Sequence, residues 1–202
     1  MFDVLIIGGG VSGISCALVL GSAKNKPFVS DKKIGIITHQ KASSLQDALF
    51  NNAYGIPPGK TGAELLSEST AHLSSSYPHV VQIPNEKVLK VSGTPGNFVV
   101  KTNKSDYQAA IIVVAVGYAN TFFIDGLMQY VAPHQKTDPA KQRIKLANDD
   151  HKVAEGIYVA GNLAGWRSQL SIAAGSGAAV ATDILTLWNE GKQTQSHDKI
   201  AK

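Results

Sequence analysis

Gly8-Gly9-Gly10-Val11-Ser12-Gly13 constrains this chain more than any other stretch. It holds the spacing G-x-G-x-x-G. Ahead of it, Asp3 to Ile7 is a short apolar run that reads as a buried strand. Behind it, Ser12 to about Leu20 reads as a helix that stops near Gly21. A strand, a tight glycine turn and a helix form the setting in which this spacing cradles a dinucleotide pyrophosphate. Gly8 permits the turn, Gly10 lets backbone approach the phosphates, and Gly13 lets the helix pack on the strand. The free amides at the helix start, around Val11 and Ser12, and the helix dipole attract anions.

The same rule places a ribose-binding carboxylate at the end of the second strand, roughly 20 residues after the loop. Counting points to Asp31, whereas the apolar pattern puts the strand at Lys33 to Thr38, ending on Thr38 and His39. The pattern is preferred, because an insertion in the polar connection explains the extra spacing. The ribose partner is then a hydroxyl, an imidazole or a backbone group, and Asp31 is a surface residue.

Further along, Thr61-Gly62-Ala63-Glu64 has the capping-box pattern, which predicts a helix from about Gly62 to Ser74. The period then changes to two. Val80 to Ile83, Lys87 to Val91 and Asn97 to Thr102 read as short strands. Ala109 to Val116 is apolar throughout, as in a strand buried on both faces. Ile157 to Ala160 reads as a last strand and Gln169 to about Trp188 as a long last helix, with Gly175, Gly177, Ala178 and Ala179 as a smooth packing face. Residues 118 to 150 carry no clear pattern.

These elements predict one α/β domain over residues 1 to 190. It should have a central parallel sheet and a small antiparallel β-meander, followed by a polar, frayed tail over 191 to 202. The length of 202 residues suits a single domain. The net charge of +4 comes from scattered lysines without a basic, aromatic-interleaved stripe, so no nucleic-acid partner is expected. The longest apolar run, Leu170 to Leu187, is interrupted by Ser171, Ser176, Thr182 and Asp183, and no membrane span is expected. The single cysteine, Cys16, cannot form an internal disulfide, and it reads as buried and structural. No signal-peptide pattern is seen, and a cytoplasmic setting is expected. The six histidines show no ligand spacing, so no metal site is expected.

Four separated motifs give the chain a resemblance to the FAD-binding half of the thioredoxin reductase-like flavoproteins, over about residues 2 to 117 and 144 to 188. The glycine loop is the first. Asn52-Ala53-Tyr54-Gly55-Ile56-Pro57 followed by Gly62-Ala63-Glu64-Leu65 is similar to the segment that brings an asparagine near the flavin ring, a role that would fall to Asn52. Val113-Val114-Ala115-Val116-Gly117 is similar to the strand ending in Ala-Thr-Gly, which implies that Ala115 and Gly117 pass close to the cofactor. Val88 falls where the family contacts adenine. Glu155-Gly156-Ile157-Tyr158-Val159-Ala160-Gly161-Asn162, then Gln169-Leu170-Ser171-Ile172-Ala173-Ala174-Gly175, resembles the motif that binds the ribityl chain and opens the last helix. Asn162 replaces the family's aspartate, and its amide can still accept from a ribityl hydroxyl. The amides around Gln169 and Leu170 would face the flavin pyrimidine edge, where a helix N-terminus favours negative charge.

The resemblance also defines what differs. A thioredoxin reductase carries a second nucleotide domain between the Ala-Thr-Gly strand and the Gly-Asp strand. Gly117 and Gly161 are only 44 positions apart, whereas such a domain needs on the order of 100 residues. The Cys-x-x-Cys pair is also absent. The expected function is therefore an FAD-binding oxidoreductase that uses an external donor or partner. Two other readings stay open: a non-catalytic flavin module such as a redox sensor or subunit, and an NAD(P)-dependent dehydrogenase, for which no Tyr-x-x-x-Lys pair is found. No acid, base or nucleophile stands out as catalytic. By sequence, Tyr118, Trp166 and Arg167 fall near the cofactor, with Trp166 a candidate cover for the ring and Arg167 for an anionic partner. Relatives pair, so a homodimer is expected.

Overall fold

A computed structural model describes residues 1–39, 43, 45–198 and 200. The chain runs β1 (Phe2–Ile7), α1 (Val11–Ser22), β2 (Ile34–Thr38), β3 (Leu49–Phe50), β4 (Lys60–Thr61), α2 (Gly62–Ser76), β5 (Val81–Pro84), β6 (Val88–Thr94), β7 (Asn97–Thr102), β8 (Asp106–Val114), β9 (Val131–Pro133), β10 (Ile144–Leu146), β11 (Lys152–Ala154), β12 (Ile157–Val159) and α3 (Leu170–Trp188). The central sheet has the order β11-β12-β8-β1-β2-β5. Strands β12, β8, β1, β2 and β5 are mutually parallel, and at the end of this row β11 runs against them.

β1 sits in the middle because it is apolar on both faces. Val4 and Ile6 enter a core with Ala17 and Leu20 of α1 and Val180 and Ile184 of α3. Leu5 and Ile7 enter a second core with Val91, Val100, Leu127, Leu146 and Leu163. Each such side chain, fully buried, contributes about 1.5–3 kcal/mol. β8 is long enough to pair with three strands of the one sheet, β1, β12 and β7. Its end, Ile112 to Val114, pairs in parallel with β12, while Asp106 to Ala109 pairs antiparallel with β7. β6, β7 and β8 thus form the expected meander.

The capping box at α2 is complete. Thr61 Oγ1 accepts from the Glu64 amide at 3.3 Å, and the Thr61 amide donates to Glu64 Oε2 at 2.9 Å. These bonds to Thr61 hold the Glu64 carboxyl below the usual carboxylate range. α3 is long and apolar enough to cross a membrane by composition, yet its Val180, Ala181, Ile184 and Leu185 are built into the core.

Three features depart from the sequence pattern. Residues 118 to 150 include a small sheet of β9 and β10, whose Leu146 joins the second core. The turn-rich segment 51 to 59 closes a hairpin between β3 and β4. The tail, expected to fray from residue 191, folds back. Thr194 is buried, its amide donates to Thr186 Oγ1, and the Tyr77 hydroxyl donates to Asp198.

Candidate functional site

The site lies where the strand order reverses. β1 is followed in space by β2 on one side and β8 on the other, and their carboxyl ends open a crevice. The glycine loop fills the end of β1. Gly8 has φ of +119°, and a Cβ there would lie 2.4 Å from the Ala115 carbonyl oxygen. A Cβ on Gly13 would lie 1.9 Å from the Gly8 oxygen. These contacts fold the loop back on itself and against the end of β8. Ala115 is buried beneath it. Gly10 differs, because a Cβ there would meet nothing within 4 Å. The loop is closed from below and open above Gly10.

Two helix N-termini face this region without side-chain caps. Neither Gly10, before α1, nor Gln169, before α3, makes a capping bond, and neither first turn contains an acidic residue. α2, by contrast, is fully capped. The first-turn amides of α1 and α3 have no intrahelical acceptor and carry the positive end of the helix dipole. The two ends are held together. Ser15 Oγ donates to the Ala174 oxygen at 2.7 Å, and Gly177 of α3 packs on the Ser12 carbonyl so closely that a Cβ would lie 2.0 Å from it. An apolar cavity of about 380 Å³ opens beside them, with Gly10, Val11, Ile14, Leu66, Leu170 and Ala174 in its wall.

The turn from Gly161 to Ala164 completes the site. Gly161 has φ of +76°, and a Cβ on it would lie 2.6 Å from Ser12 Oγ. The first motif therefore touches the last one directly. Asn162, half-buried, follows at once.

The remaining candidates are placed as follows. Thr38 is buried at the end of β2, and a Cβ on Gly9 would lie 2.8 Å from its Cγ2, so its methyl supports the loop. His39 beside it is exposed, as is Asp31. The Val88 side chain is buried in the second core, and its residue pairs with Thr102 across the β6–β7 ladder. Asn52 is exposed on the β3–β4 loop. Gly117 and Gly175 each border open space, so Gly175 does not share the packing role of Gly177. Arg167 is exposed. Trp166 is engaged by other groups. Its indole stacks on His151 with ring centroids 6.0 Å apart, and Lys136 Nζ lies 4.4 Å above it. Cys16 is fully buried, and burial pushes its thiol far up. Among the described residues no group of acidic, histidine or cysteine side chains could hold a metal.

Sequence reasoning missed two buried histidines. His134, from the segment 118 to 150, lies 3.1 Å from the Asn162 oxygen and 3.2 Å from the Trp166 oxygen through Nε2. His151 lies 2.8 Å from Ser176 Oγ through its own Nε2. Their sequence context offers no ligand-like spacing that would have flagged them.

A mostly parallel sheet with a glycine loop at its switch point, two uncapped helix N-termini and a Gly-Asn turn gives the chain a Rossmann-like α/β architecture. The chain belongs to the pyridine nucleotide-disulphide oxidoreductase family, whose pattern matches residues 2–162. Among solved structures, it is similar to a thioredoxin reductase from Gloeobacter violaceus, with 14% identity and a TM-score of 0.74, covering 99% of each chain. It is also similar to a ferredoxin-flavin thioredoxin reductase from Clostridium acetobutylicum, with 15% identity and a TM-score of 0.67, over 93% of this chain and 98% of that one. Among curated proteins, it is 31% identical to the uncharacterized oxidoreductase CzcO of Bacillus velezensis, over 66% of this chain and 41% of that protein. The chain spans about two-fifths of the length of the curated relatives it matches. Between β8 and β11 it holds the β9–β10 sheet and two short 3-10 helices, Met128–Tyr130 and Pro139–Lys141.

Proposed function

We propose that the chain binds FAD and serves as the flavin-carrying unit of an oxidoreductase that takes electrons from an external donor or a protein partner. The observation that carries this is the meeting of two uncapped helix N-termini at one open crevice. The residues fit the cofactor. The space above Gly10 is clear, and the amides of Val11, Ser12 and Gly13 supply donors for a pyrophosphate. Asn162 offers an amide to a ribityl hydroxyl in place of a carboxylate, which removes a negative charge near the phosphates. His39, exposed where β2 ends, is positioned for the adenosine ribose together with the backbone at Thr38, and the backbone at Val88 for adenine. Leu170 at the start of α3 and Asn52 on the β3–β4 loop are assigned to the flavin ring.

Bound there, FAD supplies reversible electron storage that no side chain of the site offers. The protein contributes positioning and electrostatics. The open first turn of α3 favours negative charge beside it, and the Gly161–Asn162 turn packs on Ser12 and lies against His134. Cys16 takes no part, since its thiol is buried and held protonated.

The test is the absorption spectrum of the purified protein, followed by FAD titration of the stripped protein. Flavin bands at near-stoichiometric occupancy and saturable rebinding are expected. A colourless protein that gains no flavin on titration would refute the assignment.

A further inference from the structure

The segment between β8 and β12 reaches the turn that follows β12, and its geometry gives it a task. His134 is buried, and its surroundings fix its tautomer. The Lys136 amide donates to Nδ1 at 3.1 Å, so Nδ1 is the acceptor and Nε2 carries the proton. Nε2–H is then shared between the carbonyls of Asn162 at 3.1 Å and Trp166 at 3.2 Å. Those carbonyls lie at the two sides of the turn that follows β12. The ring is braced by Tyr118, whose centroid lies 5.5 Å away.

His151 holds the same turn from the other side, in the opposite tautomer. The Trp166 indole N–H donates to its Nε2 at 3.1 Å, and Ser176 Oγ lies 2.8 Å from the same atom. Ser176 Oγ in turn accepts from the Gly161 amide at 2.7 Å. His151 is buried and has φ of +73°, and Asp150 before it has φ of +41°. Two successive non-glycine residues in the left-handed region store strain that only a fixed surrounding sustains. Asp150 Oδ1 lies 3.4 Å from His151 Nδ1, the nitrogen that must carry the proton.

We propose that residues 118 to 151 form a clamp on the Gly161–Trp166 turn, with His134 and His151 as positioning residues for Asn162. This rests on the reading that the turn holds FAD. Neither histidine is assigned a contact with the cofactor. They set the carbonyls, and through Ser176 the Gly161 amide, that decide where the Asn162 side chain is presented. The short segment between β8 and β12 thereby fixes the cofactor turn.

The experiment compares His134→Leu, His134→Gln and Trp166→Phe with the wild type. Leucine keeps bulk and removes the donor, glutamine keeps an amide N–H to offer the carbonyls, and phenylalanine keeps an aromatic ring while removing the indole N–H. Hydrogen exchange over residues 161–166 is measured on the cofactor-free protein, with the β1 amides as the internal reference for global unfolding. FAD affinity is measured by titration. The clamp predicts about tenfold or faster exchange over 161–166 in His134→Leu, with β1 unchanged, about tenfold weaker FAD binding, and recovery of both in His134→Gln. A smaller increase in the same peptide is predicted for Trp166→Phe, which tests the His151 side should His134→Leu fail to fold. Unchanged exchange over 161–166 in the folded variants, or glutamine behaving like leucine, would overturn the proposal. If the wild type binds no FAD, the cofactor reading fails, while the exchange measurement still decides whether the histidines clamp the turn.

Discussion

Gly10→Ala separates binding from folding. Gly10 has φ of −80° and ψ of −174°, an extended conformation open to any L-residue. A Cβ there meets no heavy atom within 4 Å, so every contact of the folded chain survives. Removing a glycine narrows the unfolded ensemble and stabilises by about 0.4–1 kcal/mol, while alanine is a poorer N-cap than glycine by a similar amount. The two effects offset, and stability should stay within about 0.5 kcal/mol of wild type. Binding should not survive as well. The methyl group occupies the space through which a pyrophosphate reaches the α1 amides, and each charge-assisted bond lost costs about 1.5–3 kcal/mol. The FAD dissociation constant should rise about 10- to 100-fold. Thermal melts of the cofactor-free protein and quenching of flavin fluorescence on titration measure the two effects. Gly8→Ala is the control, since φ of +119° and an approach of 2.4 Å to Ala115 predict loss of stability itself. The reasoning is wrong if Gly10→Ala loses more than about 1 kcal/mol of stability, or if it binds FAD as the wild type does.

Gly177→Ala should lower stability by about 1–3 kcal/mol in urea unfolding. The added Cβ would sit 2.0 Å from the Ser12 backbone oxygen, which cannot step aside without parting α1 from α3. Thr61→Ala should cost about 1 kcal/mol through loss of the α2 cap. The same variant should flatten the acid limb of the stability curve. The Glu64 carboxyl is held below its usual range by Thr61, so its contribution is present above the unfolded carboxylate value and is lost as pH falls through the lowered folded value. Urea unfolding across the acid range for both proteins would show it. Cys16 should resist thiol reagents in the native protein and react on denaturation, because burial raises its thiol and leaves it no exposed surface. Rapid native labelling would contradict the packing described for α1.

The parts of the fold that could be read from sequence are those where one physical requirement dominates. Val4 to Ile7 and Ile111 to Val114 are apolar on both faces, as buried parallel strands must be. Thr61 and Glu64 state a helix start in four residues. At the site, the glycine spacing was legible because Gly8, Gly13 and Gly177 answer to backbone clearance. Thr38 was legible as a strand end, yet not in its direction. Its methyl turns under Gly9, a consequence of β2 lying beside β1 that sequence position does not reveal.

The segment from 118 to 151 is different in kind. β9 and β10 are three residues each, too short for alternation to show a period. The partners of its histidines are backbone carbonyls, an indole and a serine from distant segments, not a ligand-spaced set of side chains. Such partners leave no mark beside the histidine in the chain. The glycine loop and the Gly161–Asn162 turn are fixed by what they must approach, a requirement written locally. The clamp is fixed by which carbonyls need a donor once β12 has ended, and that need exists only in the folded chain. A family motif can therefore announce a cofactor while the residues that set its geometry stay silent. In this chain, the exchange rates of residues 161–166 measure that setting directly.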